Sequence, residues 1–380
     1  LQWCFNRGFS LEMTEKTYAN PLCCCEYIDR DNERNHILAC CCNCIDLDAS
    51  VDRLIRCQSI SQIQRTNMLL TLQDRIRAPW FGGAKKVATI DVLPIIVLPA
   101  MLYTAAINIY CCLVIFFTML AFLTYMYFYL RRTSPRSKFF LMWALWSILF
   151  LWILFESTVP MLELLPEENV AFLLLLSISL FFLYKAKHFS QSSQAAASHV
   201  DAVDEDSAVL LIHDEMEDQD TNVCQLCRKR VPLRTFHCIP CQVCIVRQDH
   251  HNVWLDCCIG ASNYRYYLLG CIFGLITLLF GSNLSLTSIC HPFLIANVVG
   301  VHILMPDDCS DVFDQYDIAV CFVGSVYALA MAGCIILVLM QQIFFISRGI
   351  TGTEWRRGEF IPQRRHCCGN WRNFLCSSSK

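Results

Sequence analysis

Charged residues are spread so unevenly along this chain that its apolar stretches stand out on first reading. From Val92 to Leu130 there is no Asp, Glu, Lys or Arg, and the stretch is rich in Leu, Ile, Phe and Ala. As one helix it would measure about 60 Å at 1.5 Å per residue, twice the roughly 30 Å hydrocarbon core of a bilayer. It therefore predicts two spans, with a tight turn near Asn108. A basic loop follows (Arg131, Arg132, Arg136, Lys138), then a third uncharged run from Phe139 to Phe155. An acidic loop (Glu156, Glu163, Glu167, Glu168) separates it from a shorter fourth run, Asn169 to Tyr184, which ends at Lys185 and Lys187. After a long polar interval come two more runs, Tyr266 to about Ser288 and Ile318 to Ser347, parted by a loop carrying Asp307, Asp308, Asp311, Asp314 and Asp317.

The pattern predicts an all-α integral membrane protein with six transmembrane helices. Lys and Arg concentrate in the short cytoplasmic loops of membrane proteins. Here Lys85 and Lys86, the 131–138 loop, Lys185 and Lys187, and Arg348, Arg356, Arg357, Arg364 and Arg365 all fall on one side of the expected bilayer. Both acidic loops fall on the other. The expected organisation is a cytosolic cysteine-rich head (1–88), four transmembrane helices (89–184), an acidic linker (185–221), a cytosolic Cys/His module (222–265), two transmembrane helices (266–347) and a basic cytosolic tail (348–380). Nine acids and no Lys or Arg within 201–220 mark the linker as a solvated segment. Residues 1–20 lack the basic, then apolar, then small-residue order of a signal peptide.

Composition agrees. Of 380 residues 55% are hydrophobic and 17% charged, with a mean hydropathy of +0.42, whereas soluble domains carry about 25% charged residues. A net charge of −3 and a pI near 6.4 give no footprint for nucleic acid. A transporter is a competing membrane class, but the spans hold few charged residues from which to build a transport path.

The 26 cysteines need several explanations. Residues 224–258 spell C-x2-C-x9-H-C-x2-C-x2-C-x4-D-H-H-N-x5-C. Thiolates and imidazoles at such spacings suit two tetrahedral zinc sites, and cytosolic thiols stay reduced, so metal ligation outranks disulfides. Packing of unmetallated thiols competes poorly, because the module has little apolar core and structural zinc supplies about 10–16 kcal/mol of folding free energy. Cysteines within the spans (Cys111, Cys112, Cys271, Cys321, Cys334) read as small packing residues. The head cysteines (Cys23 to Cys25, Cys40 to Cys42, Cys44, Cys57) and tail cysteines (Cys367, Cys368, Cys376) are open to three readings. They are S-acylated, or free, or in part a third metal site built from Cys23 to Cys25, His36, Cys42 and Cys44.

The module resembles the DHHC-type zinc-finger protein S-acyltransferases (palmitoyltransferases). The likeness runs through Cys224, Cys227, Pro232, Arg234, His237, Cys238, Cys241, Cys244, Asp249, His250, His251, Cys258 and Asn263, and through the flanking spans. The span count resembles the family's six-span members. The resemblance implies one structural Zn2+ on Cys224, Cys227, His237 and Cys244 and a second on Cys238, Cys241, His251 and Cys258. It also implies a two-step reaction in which the cysteine at the fourth DHHC position takes an acyl group from palmitoyl-CoA or another long-chain acyl-CoA and passes it to a cysteine of a protein substrate. Expected partners are membrane lipid, acyl-CoA and proteins with cytosolic cysteines, in the endoplasmic reticulum or Golgi membrane.

Asp249 and His250 take the orienting and base roles of that reaction. Position 252, however, is Asn. An amide nitrogen is delocalised into its carbonyl and cannot hold a thioester. Three readings follow: an acyltransferase dead or severely weakened in chemistry but retaining binding; direct transfer, in which His250 activates the substrate thiol; or rescue by Cys257. Without a nucleophile, Asp249 and His250 could also serve only to brace their loop. Two further departures point toward impairment, and the second predicts a looser brace of the module by the tail. AKHFSQSS at 186–193 stands where the family carries DPG, and Thr351, Gly352, Thr353, Glu354 has Gly for the second Thr of TTxE. Asn370 resembles a tail asparagine common in the family.

Overall fold

The computed structural model describes residues 22–28, 34–37, 53, 55–56, 74–79, 81–133, 137–158, 165–197, 221–298, 301–358 and 366–376. Cys40 to Cys42, Cys44, Cys57, the acidic segment 201–220, Arg136, Glu163, Arg364 and Arg365 lie outside them.

The chain divides into two compact units, residues 1–92 and 93–380. In the first, β1 (Glu26–Ile28) pairs with β2 (Arg34–His36), and β3 (Arg77–Ala78) with β4 (Lys85–Lys86), all antiparallel. The Arg77 guanidinium lies 4.1 Å from the centre of the Tyr27 ring, and Arg34 pairs with Glu26.

Six apolar helices follow. They are α1 (Thr89–Ala105), α2 (Ile109–Thr133), α3 (Phe139–Thr158), α4 (Pro166–Ala197), α5 (Tyr264–Ile289) and α6 (Tyr316–Arg348). Five of them, α2 to α6, are long and apolar enough to cross a membrane. The first, α1, has 17 residues and contains Pro94 and Pro99; at 1.5 Å per residue it reaches about 25 Å, just short of a full crossing. The expected turn is present. The helix breaks after Ala105, and Asn108 accepts a hydrogen bond from the Cys111 amide at 2.8 Å, capping α2.

The fourth span differs from expectation. Charge marked its end at Tyr184, yet α4 continues to Ala197, so the boundary at 184/185 falls inside a helix. Lys185 and Lys187 sit on that helix, and long cationic side chains leave the apolar phase without breaking helical hydrogen bonds.

Helices α3 to α6 pack closely because small residues let backbones approach. A Cβ at Gly270 would fall 2.6 Å from Leu183, and one at Gly281 would fall 2.7 Å from Phe172. One buried polar cluster links α3 to α6. Tyr327 of α6 is buried and bonds Trp143 Nε1 at 3.1 Å and Ser147 Oγ at 2.7 Å on α3.

The membrane part is helical, but the module and one loop are not. Between α4 and α5 lie three antiparallel hairpins: β5 (Thr221–Cys224) with β6 (Lys229–Pro232), β7 (Thr235–Cys238) with β8 (Val243–Val246), and β9 (His250–Asn252) with β10 (Cys257–Ile259). A longer hairpin, β11 (His291–Val298) with β12 (Val301–Asp308), joins α5 to α6. Two short helices, α7 (Gly352–Arg357) and α8 (Cys367–Cys376), complete the described chain.

Candidate active site and zinc module

The three module hairpins repeat at an even spacing, with Cys224, Cys238 and Asn252 each ending a first strand. Arg228, Gln242 and Asp256 hold the same left-handed turn position, with φ of 52°, 58° and 48°. The Arg228 amide donates to the Cys224 carbonyl and the Gln242 amide to the Cys238 carbonyl, each at 2.8 Å. Cys224 and Cys227 sit in the first turn; Cys238 and Cys241 sit in the second. His237 and Cys244 face each other across the second hairpin, and His251 and Cys258 across the third. Each four-ligand group therefore combines the turn of one hairpin with a cross-strand pair from the next.

Both groups, Cys224, Cys227, His237, Cys244 and Cys238, Cys241, His251, Cys258, bring four ligand atoms within 4.8 Å of one another. Zinc–sulfur bonds of about 2.3 Å place tetrahedral thiolates about 3.8 Å apart. The observed Cys244–Cys227 and Cys258–Cys241 separations are 3.7 and 3.5 Å. His237 Nδ1 lies 3.1 and 3.7 Å from Cys227 and Cys244, and His251 Nδ1 lies 3.7, 3.3 and 3.7 Å from Cys238, Cys241 and Cys258. Donor set and spacing are compatible with zinc. Burial and the adjacent Cys224 and Cys227 sulfurs push the Cys244 thiol up to about 12, the expected result of crowding thiols without a neutralising cation.

In this register Asn252 occupies the place of Cys224 and Cys238. The Leu226 and Cys227 amides hydrogen-bond the Cys224 sulfur. In the third turn the Trp254 and Leu255 amides donate to Asn252 Oδ1 at 2.9 and 3.2 Å. The asparagine thus fills a knuckle with an amide oxygen where the other two hold sulfur. It is buried.

Next to it Asp249 and His250 are in contact. Asp249 Oδ2 lies 2.7 Å from His250 Nδ1; the Asp249 side chain is 4% exposed and that of His250 is 22% exposed. The carboxylate is sealed in while the imidazole can be reached. Tyr267 of α5 meets the imidazole edge-on at 5.8 Å.

The tail fixes this pair, which corrects the expectation of a looser brace. Asp249 Oδ1 accepts from the Gly352 amide at 2.6 Å, and its main-chain carbonyl accepts from Thr353 Oγ1 at 2.9 Å and Arg356 Nη2 at 3.1 Å. Glycine suits position 352 because a Cβ there would lie 3.0 Å from the Asp249 carbonyl oxygen and 3.1 Å from its carboxylate. Thr351 caps α7 in a reciprocal box with Glu354. Glu354, 2% exposed, also receives two bonds from Arg234, at 2.5 and 2.7 Å.

The AKHFSQSS segment at 186–193 belongs to the extended end of α4, which braces the module. Lys187 Nζ donates to the Leu255 carbonyl at 2.7 Å, and Ser190 Oγ donates to that of Cys258 at 2.9 Å. Asn263, fully buried, donates to the Ala186 and Cys258 carbonyls at 2.8 and 2.9 Å. Asn370 is buried and donates to the Ser347 carbonyl at 2.9 Å. Cys257 stands opposite Asn252 in the ladder, but it is 3% exposed and packs with Ala186, Ile259 and Tyr267; burial pushes its thiol up to about 12. Cys23 to Cys25 and His36 form no metal cluster with one another among the described residues.

A profile of the DHHC palmitoyltransferase family matches residues 217–359. Along most of its length the chain is similar to palmitoyltransferase ZDHHC23-B of Danio rerio (30% identical, covering 90% of this chain and 87% of that one). It is also similar to palmitoyltransferase ZDHHC23 of Mus musculus (29%, covering 94% and 90%) and of Homo sapiens (28%, covering 94% of each). With five membrane-length helices flanking a module that sets out both cysteine–histidine clusters and the Asp–His pair, this integral membrane protein belongs to the DHHC palmitoyltransferase family.

Proposed function

We propose that the protein is an acyltransferase scaffold that keeps its acyl-CoA and protein-binding surfaces but is severely impaired in forming an acyl-enzyme. The observation that carries this reading is Asn252: its amide oxygen is held by the Trp254 and Leu255 amides while Asp249 and His250 remain in register beside it. The base is present and the nucleophile is absent. Two structural zinc ions, one per cluster, would hold the three hairpins together and take no part in bond making.

The module faces the cytosol. Charge bias supports this orientation, and so does the disulfide between Cys290 and Cys309 at the opposite end of α5, because such bonds persist in oxidising compartments. Its partners are membrane lipid, a long-chain acyl-CoA such as palmitoyl-CoA, and proteins carrying cytosolic cysteines, in the endoplasmic reticulum or Golgi membrane.

The ordered dyad favours direct transfer as a second reading. His250 would take the proton of a substrate cysteine, the thiolate would attack the acyl carbon, and coenzyme A would leave as the thiolate and recover the proton. Burial of Cys257 removes the third reading's main requirement, an accessible sulfur. The experiment is to give purified protein labelled palmitoyl-CoA with and without a cysteine-bearing peptide. Saturable binding without hydroxylamine-sensitive label on the chain is expected, and family-like self-acylation would overturn the proposal.

A further inference from the structure

The hairpin between α5 and α6 is an element that charge patterning did not single out. Residues 292–306 read PFLIANVVGVHILMP, without Asp, Glu, Lys or Arg. The ladder sets Phe293 opposite Met305 and Leu294 opposite Leu304. Successive strand residues face opposite sides, so both faces of the ribbon carry large apolar groups. All four are exposed, as is Ile295. A ribbon with one face on a core and one in water alternates apolar with polar residues, and an isolated two-stranded hairpin is marginal in water. This ribbon does neither of the things that would make it at home in solvent.

Its placement explains the composition. Asn283 lies six residues before the end of α5 at Ile289, about 9 Å back along the helix, and its Nδ2 donates to the Leu304 carbonyl at 3.4 Å. The strand β12 therefore runs back beside α5, with the Cys290–Cys309 disulfide closing its base. Ile276 and Leu279, two turns and one turn before Asn283 on α5, are exposed apolar residues as well. The outer edges of a two-stranded ribbon leave backbone groups unpaired, which the hydrocarbon interior does not accept. Pro292 and Pro306 bring no N–H to the ribbon, but its other residues do. The ribbon's depth is thereby limited to the boundary of acyl chains and headgroups, where water still reaches.

We propose that the 291–308 hairpin is an interfacial membrane element whose occupant is phospholipid of the leaflet opposite the zinc module. It adds a second point of attachment for the α5–α6 pair, independent of acyl transfer. The test places the photo-crosslinker p-benzoylphenylalanine at Phe293 or, separately, at Leu304 in the full chain, reconstituted in phosphatidylcholine vesicles. Adducts with the mass of one phosphatidylcholine are expected at both positions, at least ten-fold above those from the same group at exposed Ser310. Cross-links between two copies of the chain in place of lipid adducts, or no adduct above the Ser310 level, would overturn it.

Discussion

Asp249 and Gly352, far apart in sequence, are joined by a 2.6 Å hydrogen bond from the Gly352 amide to the carboxylate that orients His250. The dyad is thus held from both sides of the last span, and the tail is part of the site. A carboxylate that faces two donors is fixed in rotamer, and so is the tautomer of the imidazole it binds.

The Arg234–Glu354 pair clamps the tail to the second hairpin through two parallel bonds, with Glu354 almost fully buried. Removing one partner of a buried pair costs about 3–5 kcal/mol, because the other charge is left uncompensated. Arg234→Ala is expected to lower the thermal midpoint of the purified protein and open the 348–358 segment to protease. Arg234→Lys should restore only part of the loss, since an ammonium cannot form the two-bonded fork.

Metal content checks the module. Two zinc ions per chain are expected by elemental analysis. Cys224→Ser should leave about one ion, and so should Cys258→Ser, since each removes a thiolate from a different cluster. Chelation should expose the hairpins to protease, because folding of a structural zinc module is coupled to its metal. A protein that folds without zinc would contradict the assignment.

Cys257 is sequence-adjacent to a ligand and opposite Asn252, yet buried in an apolar cluster. Alkylation of the folded protein is expected to modify exposed Cys367 and Cys368 at least a hundred-fold faster than Cys257, as read by peptide mass spectrometry. Cys257→Ala should leave any acyl label unchanged.

Much of this site was legible in the sequence for a physical reason. Metal ligands must be particular residue types at particular spacings, so Cys224 through Cys258 announce themselves. Membrane spans likewise follow from the absence of charge, which located α2 to α6 closely except at the end of α4. That end was hidden because helix continues into polar sequence wherever nothing breaks it, and neither Gly nor Pro interrupts residues 185–197. The Arg234–Glu354 pair and the bracing by Ser190 and Asn263 depend on chain segments that only tertiary packing brings together. The even spacing of Cys224, Cys238 and Asn252 is present in the sequence, but a repeat so short lies below the helical and propeller units by which repeat architectures are recognised. That spacing alone places Asn252 in a cysteine knuckle. The β11–β12 ribbon carries no alternation by which a water-facing strand is recognised, and no spacing rule pairs Cys290 with Cys309 across it.

On the proposed reading, only the side chain at position 252 separates this site from one able to form an acyl-enzyme. The Trp254 and Leu255 amides that now bond the asparagine oxygen stand ready to stabilise a thiolate in its place. The most direct measurement is self-acylation of purified Asn252→Cys with labelled palmitoyl-CoA, beside the unaltered chain and the Asn252→Cys, His250→Ala double variant. A hydroxylamine-sensitive thioester on Asn252→Cys, at least ten-fold above both comparisons, is the predicted result. Label on the unaltered chain equal to that on Asn252→Cys, or none on Asn252→Cys, would contradict it.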